Sequence, residues 1–363
     1  MKQERKKERR DAPVVRESFI AANGYSGFRS RYDEVYRNEE FDRIFVIVGG
    51  PGTGKSRMMK EVALAAQDMG ADIEYIYCSS DPASLDGVIM ELGSRRVAVL
   101  DGTAPHRRST ELPGVKDELI NLGDFWDAGL LLKEKDAILT LTKQKGEAYA
   151  RAYRYLAIAG EASQLLKKTL ESCIYRNKME RAIDREIKKL RKSNRQEIST
   201  RYISAFGMRG YERLPVPPEA KKVVSVTDEY GSAVVYLSIF EETLRKQGGY
   251  TYCVFPSCFS DFETEGVLLP ENNIMLLRNA VEADRQINMR RFLDAKEVAR
   301  NRRDIRCALK VRGQMLEEAE RSMCEVKEAH FALEKIYGAA MKFHEKEKYA
   351  KKTVARILSY LEG

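Results

Sequence analysis

No stretch of the chain approaches the roughly 18 consecutive apolar residues that a membrane-spanning helix requires. The N-terminal MKQERKKERR also lacks the apolar core of a secretory signal. Membrane-embedded and exported classes are thereby excluded from the sequence reading, and a cytoplasmic protein is expected. Cysteine is sparse: six in 363 residues, scattered at Cys78, Cys173, Cys253, Cys258, Cys307 and Cys324, which favours reduced thiols over a disulfide frame. Cys253 and Cys258 have no second Cys/His pair nearby, so a zinc site is not expected. Proline is missing from two long tracts, between Pro113 and Pro215 and again after Pro270. Both tracts are rich in Lys, Arg, Glu, Leu and Ala, and both read as long helices.

Hydrophobic residues make up 43% of the chain, enough for a packed core and too many for a disordered chain. The length leaves room for two domains. Around 43–103 and 221–280 lie short β-branched and aromatic runs: IFVIV, IEYIYC and VAVL, then VVSV, YTYCVF and IMLL. Helical patterns separate them, SRMMKEVALAAQDMG in the first region and SAVVYLSIFEETLRKQGG in the second. Such alternation predicts α/β units around a parallel sheet. The halves also match in order. FIAANGYSGF from Phe19 aligns with YISAFGMRGY from Tyr202, CSSD from Cys78 with CFSD from Cys258, and FWDA from Phe125 with FLDA from Phe292. The offset drops by 13 residues between the last two boxes, which fits loss of most of the loop from Asp101 to Pro113. A duplicated architecture is expected.

The chemistry concentrates in Gly49-Gly50-Pro51-Gly52-Thr53-Gly54-Lys55-Ser56, a match to GxxxxGK[ST] between the apolar run Ile44 to Val48 and a helix pattern beginning at Ser56. Glycines let backbone N–H groups turn toward phosphate oxygens, and the helix start adds partial positive charge. Lys55 is placed to reach the β- and γ-phosphates of a nucleotide and the Ser56 hydroxyl to bind Mg²⁺. The bland alternative is a glycine-rich turn that binds nothing. Arg96-Val97-Ala98-Val99-Leu100-Asp101 has the Walker B form, an apolar strand ending in the acid a Mg²⁺ site needs. Gly102 follows it where vigorous ATPases often carry a Glu, so hydrolysis is expected to be slow or to draw its base from elsewhere. Asp81, after the strand IEYIY, is one candidate, and its rival role is to cap the turn before Pro82. His106, one of three histidines, sits in the loop after Asp101; an ordinary exposed loop histidine is the competing reading. His330 and His344 read as solvated. No NKxD base-reading motif is present, so ATP is expected rather than GTP.

GGPGTGKS, CSSDPASLDGV, VAVLDGTAPH and LINLGDFWD, in that order, resemble an uncharacterised family of tandem P-loop ATPases from Firmicutes bacteria. The resemblance covers most of 19–160 closely and the second half loosely. It implies two P-loop α/β domains in one chain, and ATP binding with hydrolysis. It assigns the phosphate loop to Gly49 through Ser56 and the Mg²⁺ acid to Asp101. Cys78 to Asp81 and Thr103 to His106 carry its remaining signatures, without assigned roles.

The second half departs from that pattern. Val226-Thr227-Asp228-Glu229-Tyr230-Gly231-Ser232 stands where the phosphate loop belongs; it lacks the Lys, and Asp228 and Glu229 would repel phosphate. Arg278-Asn279 replaces the Walker B acid, with Arg278 either an arginine finger or a surface residue at a strand end. A half that binds no nucleotide is expected. Residues 167–195 hold 11 Lys/Arg against 4 Asp/Glu, and 285–312 hold 10 against 3, so these tracts exceed the net +8 of the whole chain. Read as basic helices, they offer a polyanion contact, to nucleic acid or an anionic membrane surface, with a solvated charged face as the alternative. Residues 314–362 read as a helical hairpin or a homo-oligomer contact.

The expected fold class is therefore α/β: a P-loop NTPase parallel sheet, duplicated, its second copy degenerate, with long helical extensions. The expected organisation is a basic disordered tail over 1–16, a P-loop α/β domain over 17–127, a helical extension over 128–200, a degenerate domain over 201–283 and a second extension over 284–363. The expected function is Mg²⁺–ATP binding with slow or partner-stimulated ATPase activity. A small-acceptor kinase, a nucleotide-gated scaffold and a nucleic-acid-stimulated ATPase are its rivals.

Overall fold

The computed structural model describes residues 12–104, 110–194, 196–227 and 230–362. Its first half contains β1 (Val15–Phe19), β2 (Ala21–Gly24), β3 (Gly27–Ser30), α1 (Tyr32–Val35), β4 (Arg43–Val48), α2 (Lys55–Asp68), β5 (Asp72–Tyr77), β6 (Leu85–Leu92), β7 (Arg95–Asp101), β8 (Asp117–Asn121), α3 (Ala128–Lys133), α4 (Lys135–Glu171) and α5 (Arg176–Ile187). The second contains β9 (Ile198–Thr200), β10 (Ser204–Gly207), β11 (Gly210–Arg213), β12 (Lys222–Thr227), α6 (Ala233–Gln247), β13 (Tyr252–Ser257), β14 (Ser260–Leu269), β15 (Ile274–Arg278), β16 (Arg285–Asn288), α7 (Ala295–Arg300), α8 (Arg302–Ala339) and α9 (Phe343–Glu362).

Each half builds a six-stranded sheet, and the two orders correspond strand for strand: β1-β5-β6-β7-β4-β8 and β9-β13-β14-β15-β12-β16. The sheets are mixed rather than parallel. Only β6 and β14 oppose their neighbours. Short links enforce this: Gly93-Ser94 joins β6 to β7, and Cys258-Phe259 joins β13 to β14, too few residues for a parallel crossover. β4 shows why the strand before the glycine-rich loop forms where it does. Its RIFVIV run is covered on both faces and so is apolar without alternation. The loop after β7 spans residues 102–116, whereas that after β15 spans 279–284, and most of the shortened offset lies there. Two residues of the segment expected to be tail, Val15 and Arg16, pair in β1 with β5. The segment expected to begin the second helical extension opens with the edge strand β16.

The duplicated boxes meet at a pseudo-two-fold axis. Phe19 and Tyr202, equivalent positions, exchange backbone hydrogen bonds of 2.9 and 2.8 Å. The Asn23 side chain donates to the Phe206 carbonyl at 2.9 Å. Each Cys-x-Ser-Asp turn clasps the other half's hairpin: Met208 N–H donates to Ser80 O at 2.8 Å and Tyr25 N–H to Phe259 O at 2.9 Å. A Cβ on Gly207 would lie 2.5 Å from the Ser80 carbonyl oxygen, so only glycine permits that approach.

The Pro-free tracts are helical, and their courses cross. α4 and α8, 37 and 38 residues long, run antiparallel past each other along stripes that include Ala148, Ala152, Leu156, Ala319, Met323 and Val326. At its end α4 docks on the second half, where Tyr175 N–H donates to Phe292 O and Asp294 N–H to Cys173 O, both at 2.8 Å. α5 then buries Met179, Ile183 and Ile187 against the second sheet. The mirror arrangement holds for α8. Lys342 N–H donates to Phe125 O and Asp127 N–H to Ala340 O, also at 2.8 Å, and α9 buries Ala350, Ile357 and Leu361 against the first sheet beside α2. Each half's sheet is closed by a helix from the other half. Among the described residues no helix is long and apolar enough to cross a membrane.

Candidate functional site

The loop 49–54 leaves β4 and enters α2, with Gly52 and Gly54 at φ of 73° and 82°, in the region that side chains disfavour. A Cβ on Gly52 would lie 2.7 Å from the Glu334 carbonyl of α8, so the loop's tip also needs glycine for packing. Thr53 is buried and its hydroxyl donates to Gly50 O at 2.9 Å, fastening the turn. Lys55, in the first turn of α2, folds over the loop. Its Nζ donates to Gly49 O at 2.7 Å and Gly50 O at 3.0 Å, and lies 3.5 Å from Asp101 Oδ2.

Asp101 ends β7, directly beside β4, with Ile47 as its register partner. Burial pushes its carboxyl pKa up, and the Lys55 ammonium opposes that shift. The Thr103 N–H donates to Asp101 Oδ1 at 2.7 Å, and the Thr103 hydroxyl to Gly49 O at 2.8 Å, so the two strand ends are tied together. Ser56 Oγ accepts from Leu85 N–H at 3.0 Å. A partly buried ammonium satisfied by loop carbonyls and one carboxylate fits a site that takes an anion in their place. The Ser56 hydroxyl and the Asp101 carboxylate stand among the oxygen groups of this site. Among the described residues no group of three or more His, Cys, Asp or Glu is placed to hold a metal ion.

These groups line a cavity of about 360 Å³ whose far wall comes from elsewhere in the fold: Lys145 and Tyr149 of α4, His330 and Glu334 of α8, and Met208 of the second half's hairpin. Asp86, at the start of β6, lies in the same lining. Asp81 does too, at the turn where the sequence places it. Its carboxylate accepts a long 3.4 Å bond from Ala83 N–H, the turn-capping contact, and lies 3.7 Å from Arg209 Nε of the other half. His106 falls outside the described residues. His330 is not solvated as expected. Its Nδ1 is buried with no hydrogen-bond partner, and burial beside Lys145 lowers the imidazole pKa to about 4. Burial likewise lowers the Lys145 ammonium pKa and raises that of the Glu334 carboxyl. The Cys78 thiol is pushed far up by burial, with Asp86 adding to it, which makes it a poor nucleophile.

The sequence offers no sign of Lys145, Tyr149 or Glu334 at this site and places His330 in solvent, although Lys145/Tyr149 and His330/Glu334 are each spaced i,i+4 on one helical face. The spacing shows the shared face and not what it looks upon. Asp86 lay inside the CSSDPASLDGV segment without a role.

In the second half the register of β12 with β15 puts Arg278 beside Val226, the place Asp101 takes beside Ile47. Ala233, fully buried, opens α6 as Lys55 opens α2. Arg278 lines a cleft with Glu263 and Arg312, away from the first cavity, and so supplies nothing to it. Burial raises the Glu263 carboxyl pKa while Arg278, Lys167 and Arg312 counter it. Internal charges there face one another. Asp228 and Glu229 lie outside the described residues. No protein-family model, curated protein or solved structure matches this chain.

Proposed function

We propose that the first half is a P-loop module that binds Mg²⁺–ATP, and that the whole chain is a slow or partner-stimulated ATPase. The observation that carries this reading is the Lys55 ammonium held between the Gly49 and Gly50 carbonyls and Asp101, with Ser56 in the same helical turn. In the ligand-bound protein Lys55 would leave those carbonyls for the β- and γ-phosphates, and the N–H groups at the start of α2 would receive the phosphate oxygens. Ser56 and Asp101 would hold a Mg²⁺ ion arriving with the nucleotide, and the ion would supply positive charge against that of the phosphates. Gly102 supplies no base, so water activation would fall to Asp81 or His106, to Asp86 on the cavity wall, or to an incoming partner.

A second reading, a nucleotide-gated scaffold, is favoured by one feature: Lys145 and His330 reach the cavity from the two long helices that join the halves. Phosphate release separates the two readings. The common site is tested by titrating Mg²⁺–ATP against wild type and Lys55→Ala, following the fluorescence of Trp126, the chain's one tryptophan. Its ring is 3.0 Å from where a Cβ on Gly50 would stand. Wild type should show a saturable change and Lys55→Ala none. Equal affinity in both proteins would sink the assignment.

A further inference from the structure

The fold gathers residues of the two basic tracts into one groove, which shares no lining residue with the cavity of the first half. Arg185, Lys188 and Lys189, on and just after α5, face Arg285 and Arg291, on and just after β16, across a cleft of about 390 Å³. The second tract is thus strand and turn at this point, not the helix its composition suggested. The one carboxylate in the lining, Glu186, is engaged: Arg285 grips it at 3.0 and 2.6 Å, Lys189 stands 3.2 Å away, and its pKa is held low chiefly by Arg285. Among the described residues Arg185, Lys188 and Arg291 have no carboxylate within 4.0 Å.

Beneath these cations lies Tyr236, in the first turn of α6 with its ring stacked on Phe292 at 5.9 Å. Its side chain is wholly buried, and its hydroxyl makes no hydrogen bond. Burial pushes its pKa well up, so it stays a neutral O–H donor at any ordinary pH. An orphaned donor in a cleft also lined by Arg185, Lys188 and Arg291, which no carboxylate compensates, matches an anion that accepts hydrogen bonds.

The duplication supplies a control within the molecule. By register, Arg285 beside Val224 answers to Glu118 beside Phe45. Glu118 pairs with Arg43 and Arg356, so the first half spends its charges internally at this place. At the position of Tyr236 in α6, α2 carries Met58, which has no hydroxyl. The second half has therefore lost the phosphate loop and acquired a basic groove.

We propose that this groove binds the phosphate backbone of a nucleic acid, with one phosphate seated over Tyr236. A groove suits a rod-like backbone, whereas a flat bilayer would not reach its floor. Its lining also presents no exposed large apolar side chain to insert among lipids. The reading is independent of the nucleotide site. Anisotropy of labelled single-stranded and duplex oligonucleotides, titrated with the full chain at low and physiological salt, tests it. Wild type should bind with steep salt dependence, and Arg185→Glu/Lys188→Glu should bind about tenfold or more weakly with a flatter salt slope. Tyr236→Phe keeps the ring stack and should bind severalfold more weakly. Both variants should keep wild-type Mg²⁺–ATP binding and melting behaviour. Unchanged oligonucleotide affinity in the charge-reversal variant would overturn the groove. Equal affinity in Tyr236→Phe would overturn the seated phosphate. Binding to phosphatidylserine vesicles without binding to oligonucleotides would overturn the choice of partner.

Discussion

At the scale of single residues, His330 shows what the cavity beside the glycine loop costs the fold. An imidazole is expected to titrate near 6.5, and in this wall it does so at about 4, because burial and the nearby Lys145 and Lys55 charges disfavour the cation while Asp81 only partly offsets them. Between those two values the unfolded chain holds the proton and the folded chain does not. The stability associated with a neutral His330 is therefore complete above about pH 6.5 and is lost as pH falls toward 4, by up to about 3 kcal/mol before solvent screening. Denaturant midpoints measured between pH 7 and 4 should fall less steeply in His330→Gln than in wild type; parallel curves would show that His330 titrates normally. A bound triphosphate would counter the Lys charges, so the same site should tolerate acid better when loaded.

At the scale of elements, the exchanged helices decide where stability resides. α9 follows the second half in the chain, yet Ile357 is fully buried in the first core among Phe45, Met58 and Met59. Ile357→Ala should lower global stability by about 2–5 kcal/mol, whereas the exposed Lys351→Ala on the same helix should change it by less than about 0.5 kcal/mol, both read from urea midpoints. The contrast marks what sequence alone reveals. Period and proline content showed helices over both tracts, and β-branched runs showed β4, β5, β7, β12, β13 and β15, of which β4 and β7 flank the glycine loop. β6 and β14 are hidden in the sequence because LDGVIMEL and SDFETEGVLL mix acids and glycine into strands that the fold largely buries. The apolar stripe of α9 was equally visible, but a stripe declares that it needs cover without naming which sheet provides it. The same holds for the cavity. Gly49 through Ser56 and Asp101 are local signals, while Lys145 and His330 reach it through contacts some 90 to 275 residues distant in the chain.

At the scale of the whole molecule, reciprocal exchange makes the halves one cooperative body. Cut between α5 and β9, the first fragment keeps the glycine loop but loses α9, so Phe45 and its neighbours lose the cover of Ile357 and Leu361. It also loses His330, Glu334 and Met208 from the cavity wall. The second fragment loses α5 and with it the cover that Met179, Ile183 and Ile187 give to its sheet. Exposed apolar faces of that kind favour aggregation over independent folding. Fragments 1–195 and 196–363 produced separately should therefore be poorly soluble and fail to bind Mg²⁺–ATP. Refolded together, they should restore a Trp126 response, because the exchanged helices and the Phe19–Tyr202 bridge need no covalent link to find their partners. A first fragment that bound nucleotide with the affinity of the intact chain would show that the glycine loop works without its second half. The duplication would then be architecture alone, not a way of building one site from two copies.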